Sequence, residues 1–335
     1  MTTKHGALEY ALRTTALRKT FRFKKETIEA VRGVDLAVRP GEIYGFLGPN
    51  GAGKTTTLRM LTTLLPVDSG EAIVAGADVR RRPREVRRRI GYVGQLGGTD
   101  LSATGRENLM LQGQLYALSA AETRKRVEEL IRILELASCI ERLARTFSGG
   151  QKRRLEIALG VLHRPDVLFL DEPTTGLDPQ NRANLWDQLR LLQESGTTIF
   201  LTTHYLEEAD QLSDRLAFID RGRIVAEGTP QELKQRLAGS VVSFTPKVSP
   251  TDLQDMYHEL AHQPFVRESR LEDAAIRLYV TDPTLALAAL FERLRAQSVP
   301  LEALSLTEPS LDDVFLHETG RSLRDAGEPI AKEAA

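Results

Sequence analysis

The chain has 335 residues, enough for two domains, and its 41% hydrophobic and 27% charged residues are typical of a soluble globular protein. The net charge of −1 excludes a uniformly basic nucleic-acid-binding chain, but residues 241–335 hold 9 basic and 16 acidic residues, a net of −7 that leaves +6 for residues 1–240. A single cysteine excludes an internal disulfide framework, the N-terminus lacks a signal-peptide pattern, and no apolar run approaches the ~18 residues of a membrane span.

Two alternating segments follow residues 1–13, which are predicted to be a flexible tail. Residues 15–17 and 28–38 alternate apolar and polar side chains, which predicts strands of an antiparallel sheet. Phe21 and Phe23 lie between these segments. Either ring can pack in the core or stack on a purine, so both remain candidates for a ligand contact.

A phosphate-binding pattern, G-x-x-x-x-G-K-[ST], lies between a buried strand at 42–47 and a helical segment at 56–61. Its glycines let the backbone wrap an anion, and the start of the helix adds N–H groups and a positive dipole end. Lys54 can reach the β- and γ-phosphates, and the Thr55 hydroxyl is placed for Mg²⁺. A plain glycine-rich turn is the alternative, but the flanking strand and helix favour nucleotide binding. The predicted nucleotide-binding residues are Gly48, Pro49, Asn50, Gly51, Ala52, Gly53, Lys54, Thr55 and Thr56.

The densest charge run lies at residues 80–89 and is rich in arginine. A solvated helix face is the simplest interpretation, and contact with anionic lipid headgroups or with an acidic loop of a partner is the alternative. Nucleic acid is disfavoured because no aromatic residues are interleaved. Residues 90–95 then predict a strand that ends in Gln95.

A helical subdomain is predicted over about residues 100–163, inserted between two α/β segments. Ser119 and Glu122 form a capping box ahead of apolar residues at helical spacing. Cys139 is interpreted as a small core residue, which fits a reducing cytosol. The next helix begins with four residues that can bind an anion or serve as a plain cap, namely Ser148, Gly149, Gly150 and Gln151.

Polar side chains follow two buried strands of the last α/β segment. Asp171 and Glu172 end an apolar stretch, where a carboxylate is costly unless it meets a cation. His204 follows the second of these strands. Between them, Asp178 precedes Pro179 at the predicted start of a helix.

A smaller second domain is predicted over residues 241–320, after a helix that closes the first domain near residue 240. Its predicted order of elements, β-α-β-β-α-β, indicates a ferredoxin-like α+β unit. Its histidines lack the neighbours of a metal site, and we expect a regulatory or dimer-stabilising module rather than a catalytic one. Residues 321–335 are predicted to be a disordered tail.

The order of these motifs resembles that of the ATP-binding cassette (ABC) ATPase subunits of membrane transporters, over about residues 14–240. The resemblance rests on the phosphate loop, Gln95, Ser-Gly-Gly-Gln at 148–151, Asp171-Glu172, Gly-Leu-Asp at 176–178 and His204. It implies an α/β fold of the P-loop NTPase type, with a RecA-like core, an antiparallel β subdomain and a helical subdomain. It also implies ATP and Mg²⁺ as ligands.

The resemblance implies a role for each motif. Glu172 is the general base that polarises the attacking water, His204 holds the γ-phosphate and the base in place, and Gln95 senses the γ-phosphate. Phe21 or Phe23 stacks on adenine. The residues implied to serve the metal are Thr55, Gln95 and Asp171.

Closure of the site is expected to need a second copy of the chain. One phosphate loop leaves the γ-phosphate open on one side, and residues 148–151 of a twin subunit can cover it in a two-fold pair, with Asp178 at the seam. The implied partners are therefore this second copy and a separate transmembrane permease, without nucleic acid. Segment 96–100 and the helical insert are expected to contact the permease, which places the protein peripherally at the cytoplasmic face of the cell membrane.

A closer resemblance extends over the whole chain. The stretches 172–179 and 309–316 and the helix after residue 230 are similar to those of the daunorubicin/doxorubicin resistance ATP-binding subunits. This implies export of a hydrophobic drug or antibiotic through a type-2 permease. The alternatives are export of a lipid or polysaccharide, and a soluble cassette protein that acts on ribosomes or DNA, which usually has two cassettes or a coiled-coil insert. A GTPase is disfavoured because the guanine-reading Asn-Lys-x-Asp motif does not occur.

Overall fold

The computed structural model describes residues 9–23, 26–95, 97–237, 239–272 and 274–323, so the ends of the predicted tails, 1–8 and 324–335, lie outside the described residues. The chain divides into unit 1, which comprises Met1–Thr229 and Leu323–Ala335, and unit 2, Pro230–Ser322. This boundary is earlier than the predicted one at residue 240. The helix that was expected to close the first domain belongs to unit 2, because its buried Leu233 side faces the last helix of that unit.

The secondary structure within the described residues alternates strands and helices through most of the chain. In chain order, the strands are β1 (Leu12–Phe23), β2 (Glu26–Val38), β3 (Ile43–Leu47), β4 (Ser69–Val74), β5 (Ala77–Asp78), β6 (Ile90–Val93), β7 (Val167–Asp171), β8 (Thr198–Thr203), β9 (Arg215–Asp220), β10 (Arg223–Gly228), β11 (Ser240–Pro246), β12 (Val266–Glu272), β13 (Ala275–Val280) and β14 (Leu301–Thr307). The helices are α1 (Lys54–Leu61), α2 (Pro83–Arg89), α3 (Gly105–Leu115), α4 (Ala120–Ile133), α5 (Gly149–Val161), α6 (Pro179–Glu194), α7 (Leu206–Leu212), α8 (Pro230–Arg236), α9 (Pro250–Ala261), α10 (Pro283–Ala296) and α11 (Leu311–Thr319), with a 3₁₀ turn at Ala144–Thr146.

A six-stranded sheet of order β10-β9-β3-β8-β7-β6 forms the centre of unit 1, and its strands from β9 to β6 run parallel. β3, β7 and β8 are buried at every position, as expected for strands covered on both faces. In register, Leu47 lies opposite Thr203, and Asp171 lies opposite Thr202. The carboxyl ends of the strands that carry the predicted site residues therefore meet at one edge.

An antiparallel sheet of order β2-β1-β4-β5 forms a second layer of unit 1. β1 begins at Leu12, which is fully buried opposite Val38. The first strand therefore starts inside the segment 1–13 that was predicted to be a flexible tail. The apolar side chain at position 12 explains the difference, since it adds one more inward-facing residue to the strand. Phe21 pairs with Ile28 near the end of the hairpin at which β1 leads into β2.

The helical insert contains α3, α4, the 3₁₀ turn and α5. Each of the three helices begins with a capping box, formed by Thr104 with Glu107, Ser119 with Glu122 and Ser148 with Gln151. The core of the insert includes the apolar residues expected from the helical spacing, namely Val127, Leu130, Ile131 and Leu134. Cys139 is also buried in this core, as expected.

The arginine run at residues 80–89 surrounds α2. Several of its guanidinium groups donate to backbone carbonyls of the antiparallel layer: Arg80 to Gly70, Arg82 to Gly76 and Arg89 to Ala75. These contacts tie α2 to the β4–β5 turn, so part of the run has a structural role that a solvated helix face does not require. Contact of the remaining arginines with lipid or a partner stays a prediction.

Unit 2 has the predicted β-α-β-β-α-β order, in an antiparallel sheet of order β12-β13-β11-β14 that confirms the ferredoxin-like arrangement. Helices α9 and α10 cover the sheet face that carries Val242 and Phe244. Within the residues that the structure describes, no helix in either unit is both long and apolar enough to cross a bilayer.

Candidate functional site

The phosphate loop connects β3 to α1 at the carboxyl edge of the central sheet. Gly51 and Gly53 have φ angles of 79° and 110°, which side chains other than glycine rarely adopt. A Cβ atom on Gly48 would lie 2.2 Å from the carbonyl oxygen of Ile219, so this position also requires glycine. Asn50 and Gly51 form the exposed tip, whereas Pro49 and Ala52 are buried, and Thr56 lies half-buried in the first turn of α1. The loop therefore presents backbone to a ligand rather than side chains.

The ammonium group of Lys54 lies against the backbone of this loop. Its Nζ donates to the carbonyl oxygens of Gly48 at 2.7 Å and Pro49 at 3.2 Å, and it lies 3.5 Å from Oε1 of Glu172. Burial lowers the pKa of Lys54, while the carboxylates of Glu172 and Asp171 oppose that shift. The charge of Lys54 is thus held inside the loop by neighbouring anions, in reach of a phosphate.

A group of oxygen atoms surrounds Asp171, which is 1% exposed at the end of β7. Its Oδ1 accepts hydrogen bonds from the hydroxyls of Thr55 at 3.1 Å and Thr202 at 2.7 Å. The described residues hold no cluster of three or more His, Cys, Asp or Glu side chains that could bind a metal alone. One carboxylate and one hydroxyl fit Mg²⁺, which keeps several waters and takes further oxygens from substrate phosphates.

Glu172 has a backbone conformation that is unusual for a residue with a side chain. Its φ of 47° is left-handed, and its N–H donates to the carbonyl oxygen of Thr202 at 3.1 Å. This turn directs the carboxylate toward the loop, where Oε1 lies 3.3 Å from Nδ1 of His204 and Oε2 accepts from the Thr175 hydroxyl at 3.3 Å. The contact with His204 is close but lacks the geometry of a formed hydrogen bond.

The charge of Glu172 is stabilised by its neighbours. The His204 imidazole lowers the pKa of Glu172, burial opposes this, and the Lys54 ammonium lowers it further. The carboxylate is therefore ionised near neutral pH and can accept a proton or orient a water molecule. Lys54, Thr55, Asp171, Glu172 and His204 together form one connected cluster.

Other predicted site residues lie apart from this cluster. Gln95 is exposed just beyond β6, at the same edge of the sheet. Ser148 and Gly149 are exposed at the start of α5, where the Ser148 hydroxyl accepts the N–H of Gln151 at 3.3 Å, and Gly150 is buried behind them. None of the contacts described for residues 148–151 reaches the phosphate loop.

The contacts described for Asp178 and Phe21 also lie outside the cluster. Asp178 is exposed and caps α6 by accepting the N–H of Asn181 at 2.9 Å. Phe21 is partly buried under the Lys19 ammonium, which lies 5.6 Å from its ring centroid. The side chain of Phe23 lies outside the described part of the chain, so the choice of the adenine-stacking ring stays open.

Sequence reasoning did not select Arg153, which connects three segments of the site. Its buried guanidinium donates to the carbonyl oxygens of Gly94 at 2.8 Å, Asp171 at 3.1 Å and Pro173 at 2.8 Å. It also pairs with Glu156 at 3.1 Å. The helical spacing of buried positions along α5 is the signal that could have indicated an inward-facing arginine.

Comparisons with known proteins agree with this site. Residues 31–175 match the family model described as ABC transporter, and residues 228–319 match that of the ATP-binding protein DrrA1-3-like, C-terminal domain. The chain is 43% identical to the daunorubicin resistance ATP-binding protein DrrA2 of Streptomyces coeruleorubidus, over 97% of this chain and 99% of that protein. It is 44% identical to the daunorubicin/doxorubicin resistance ATP-binding protein DrrA of Streptomyces peucetius, over 96% of each.

A solved structure extends the comparison to three dimensions. A dimeric ATP-binding cassette in a post-hydrolysis state, bound to ADP and Pi, has a TM-score of 0.60 and 27% identity, covering 65% of this chain and 98% of that one. The chain therefore belongs to the ATP-binding subunits of ABC transporters, in the group of the daunorubicin and doxorubicin resistance ATP-binding proteins.

Proposed function

We propose that this chain hydrolyses ATP with Mg²⁺ as one half of a nucleotide-sandwich homodimer and drives a separate type-2 permease that exports a hydrophobic drug or antibiotic. The observation that carries the proposal is the cluster at the sheet edge, in which Oε1 of Glu172 lies 3.5 Å from Nζ of Lys54 and 3.3 Å from Nδ1 of His204. Phosphoryl transfer depends on positioning and charge neutralisation, and these side chains supply both.

Hydrolysis divides among the residues as follows. The loop N–H groups and Lys54 hold the β- and γ-phosphates, and Glu172 orients a water molecule and accepts its proton. His204, next to Glu172 Oε1, fixes the direction of the carboxylate and contacts the γ-phosphate. Thr55 and Asp171 would hold Mg²⁺ together with Gln95, and the ion would neutralise charge that develops on the phosphate oxygens.

The start of α5 supports a composite site between two copies. Ser148 and Gly149 present a polar helix N-terminus to solvent, a feature that favours an anion supplied from outside the subunit. A two-fold pair would place each N-terminus over the ATP of its twin and bring the exposed Asp178 to the seam. The dimeric state of the related cassette is consistent with this arrangement.

An apolar surface on the helical insert supports a contact with the permease. Leu111 and Leu115, four residues apart on α3, are 52% and 72% exposed, and Leu101, ahead of α3, is 45% exposed. Arg153, on α5 of the same insert, donates to the backbone of both Gly94 and Asp171. Movement of the permease-facing surface would thus be passed to the hydrolysis site, and docking here would hold the subunit at the cytoplasmic face of the membrane.

The names of the relatives support the class of cargo. Two proteins more than 40% identical across the whole chain are daunorubicin resistance proteins, and daunorubicin is the drug that their names record. A hydrophobic drug or antibiotic is therefore the first cargo to test, ahead of a lipid or polysaccharide.

Transport by the reconstituted complex tests the proposal. The chain is co-purified with the polytopic membrane protein that binds it, and ATP-dependent daunorubicin accumulation is measured in inverted proteoliposomes, with Glu172→Gln as the inactive control. Accumulation above that control supports the drug assignment. Lipid or polysaccharide movement without drug movement would change the assigned cargo, and failure of the chain to co-purify with any polytopic membrane protein would contradict the exporter assignment.

A further inference from the structure

A buried carboxylate with no role in the proposed mechanism lies just beyond His204. Glu208, on α7, has no exposed surface, and its Oε1 accepts a hydrogen bond from Nε1 of Trp186 at 3.2 Å. Burial raises the pKa of Glu208, while the Thr203 and Thr174 hydroxyls and Trp186 oppose that rise. Neither Oε2 of Glu208 nor Oγ1 of Thr174 makes a hydrogen bond of normal geometry within the described residues. Such a costly group indicates a need beyond simple packing.

The Thr203 hydroxyl, which favours the charged form of Glu208, belongs to the segment that carries His204. Thr203 immediately precedes the histidine, and its hydroxyl accepts the N–H of Tyr205 at 2.9 Å. Because this hydroxyl oxygen is already an acceptor, its proton is free to face Glu208. The Thr203 carbonyl also accepts the N–H of Gly48 at 3.4 Å, which connects the same turn to the phosphate loop.

The other two segments carry Glu172 and Asp178. Thr174 follows Glu172 by two residues, and its carbonyl accepts the N–H of Leu177 at 3.1 Å in the turn that leads to Asp178. Trp186 lies on α6, the helix that Asp178 caps. The Trp186 hydrogen bond thus ties the carboxylate directly to α6, and the two threonine hydroxyls that favour its charged form lie on the segments that carry Glu172 and His204.

We propose that Glu208 is a positioning residue for ATP hydrolysis. It holds the segments of Glu172, His204 and Asp178 in their positions relative to one another. Without it, the Thr203 turn and the Thr174 loop lose their shared partner, and the 3.3 Å approach between His204 Nδ1 and Glu172 Oε1 is no longer maintained. The inference rests on the catalytic roles proposed above for Glu172 and His204. Glu208 itself acts through these residues and not on the substrate.

Steady-state kinetics of the full-length chain test the proposal. Glu208→Ala should lower kcat by about 10- to 100-fold, because small displacements of catalytic groups are costly. The KM for ATP and the Kd for nucleotide should change by less than about twofold, since the phosphate loop keeps its own hydrogen bonds. Glu208→Gln retains the Oε1 acceptor for Trp186 and should recover most of kcat. Trp186→Phe removes only that donor and should lower kcat by less than Glu208→Ala does.

A double variant separates positioning from general stability. If Glu208 acts through His204, the combination with His204→Ala should be about as slow as His204→Ala alone. Multiplicative losses, or a Glu208→Ala variant with unchanged kcat, would overturn the proposal. A fall in nucleotide affinity as large as the fall in kcat would also overturn it, because that result indicates a merely structural role.

Two further variants make the result specific. Glu42→Ala removes another buried carboxylate, 8% exposed at the start of β3, and should lower Tm while kcat stays within about twofold. Glu172→Gln tests the proposed mechanism independently. Wild-type hydrolysis by Glu172→Gln would refute the catalytic base, whereas an inactive Glu172→Gln beside a fully active Glu208→Ala would refute only the role of Glu208.

Discussion

Two regions of unit 1 contribute to the proposed site in opposite ways. At the carboxyl edge of the central sheet, Lys54, Asp171 and Glu172 are largely buried and lie in direct contact with one another or with shared partners. At the start of α5, Ser148 and Gly149 are exposed, and the polar groups of the cap are satisfied by their own helix. The first region is assembled within the chain, whereas the second is presented to the outside.

Electrostatics explains this difference. A buried charge is costly unless a partner of opposite sign is present in the folded chain, so the cluster around Lys54 has to be complete within one subunit. A capped helix N-terminus that is exposed to water has no such requirement, and it can bind an anion that belongs to another molecule. The comparison teaches that one chain assembles the cluster around Lys54 by itself, whereas the proposed closure over the γ-phosphate would need a second copy.

The largest effect is expected from the proposed base. Glu172→Gln keeps the size of the side chain but removes the proton acceptor, so kcat for ATP hydrolysis should fall by about 100- to 10,000-fold. ATP binding should persist, and the variant should accumulate as a dimer with ATP in size-exclusion chromatography with light scattering. Hydrolysis near the wild-type rate would show that the base is another residue.

A charge at the start of α5 tests the second region. Gly149→Asp has open space for its side chain and adds an acidic residue at the first helical position, which favours the helix itself. In a dimer the new carboxylate would face the triphosphate of the twin, and kcat should fall by about 100-fold because like charges repel. Nucleotide affinity of the isolated subunit should not change.

Ala120→Asp provides the matched control, since it places the same charge at the first position of α4, which is exposed. Its kcat should equal that of the unmodified protein. An equal loss of activity in both variants would indicate a general charge effect, and full activity of Gly149→Asp would argue against a composite site.

The phosphate loop should control affinity rather than closure. Lys54→Ala removes a charged donor, and the Kd for ATP should rise by about 10- to 100-fold, the equivalent of one hydrogen bond to a charged group. Fluorescent-nucleotide titration of the subunit at low concentration measures this without dimerisation. Unchanged affinity would contradict the assignment of the loop.

Substitutions in unit 2 should change the rate of ATP hydrolysis least, because the buried polar network of this unit stabilises unit 2 itself. Asp313 is 2% exposed and accepts a hydrogen bond from the Tyr279 hydroxyl at 2.5 Å, with Arg277 at 3.1 Å. Asp313→Asn should destabilise unit 2 by about 1–3 kcal/mol. Hydrogen exchange at α11 and β13 provides the measurement, and unchanged protection there would contradict the expected role of the network.

The same network has a defined pH dependence. Burial alone would raise the pKa of Asp313, but hydrogen bonds from Ser310 and Tyr279, together with Arg277, lower it overall. A lowered pKa in the folded state stabilises the fold above the unfolded value of about 3.9, and this contribution is lost as the pH falls through the folded value. Stability of unit 2 should therefore decline in acid, below about pH 4, and Asp313→Asn should remove this part of the decline.

Several features followed from local sequence alone. The sequence shows glycines before Lys54, carboxylates after a continuous apolar strand and a histidine after the next strand, and each pattern by itself indicates a phosphate or metal site. Parallel strands bring such positions to one edge of a sheet. The β-α-β-β-α-β order of unit 2 was likewise readable from the periodicity of its apolar residues. The boundary between the units could not be predicted in this way. The sequence of α8 indicates only that it is a helix, and its packing against α11 depends on residues that come later in the chain.

The sequence by itself thus determined which chemical groups are available and at which strand ends they lie, since these depend on residue type and on neighbours along the chain. Only the tertiary structure decided that Glu172 Oε1 contacts both Lys54 and His204, that Arg153 donates to three backbone carbonyls, and that Glu208 accepts a hydrogen bond from Trp186. These contacts join residues far apart in the chain through side-chain directions and close packing, which no local pattern encodes.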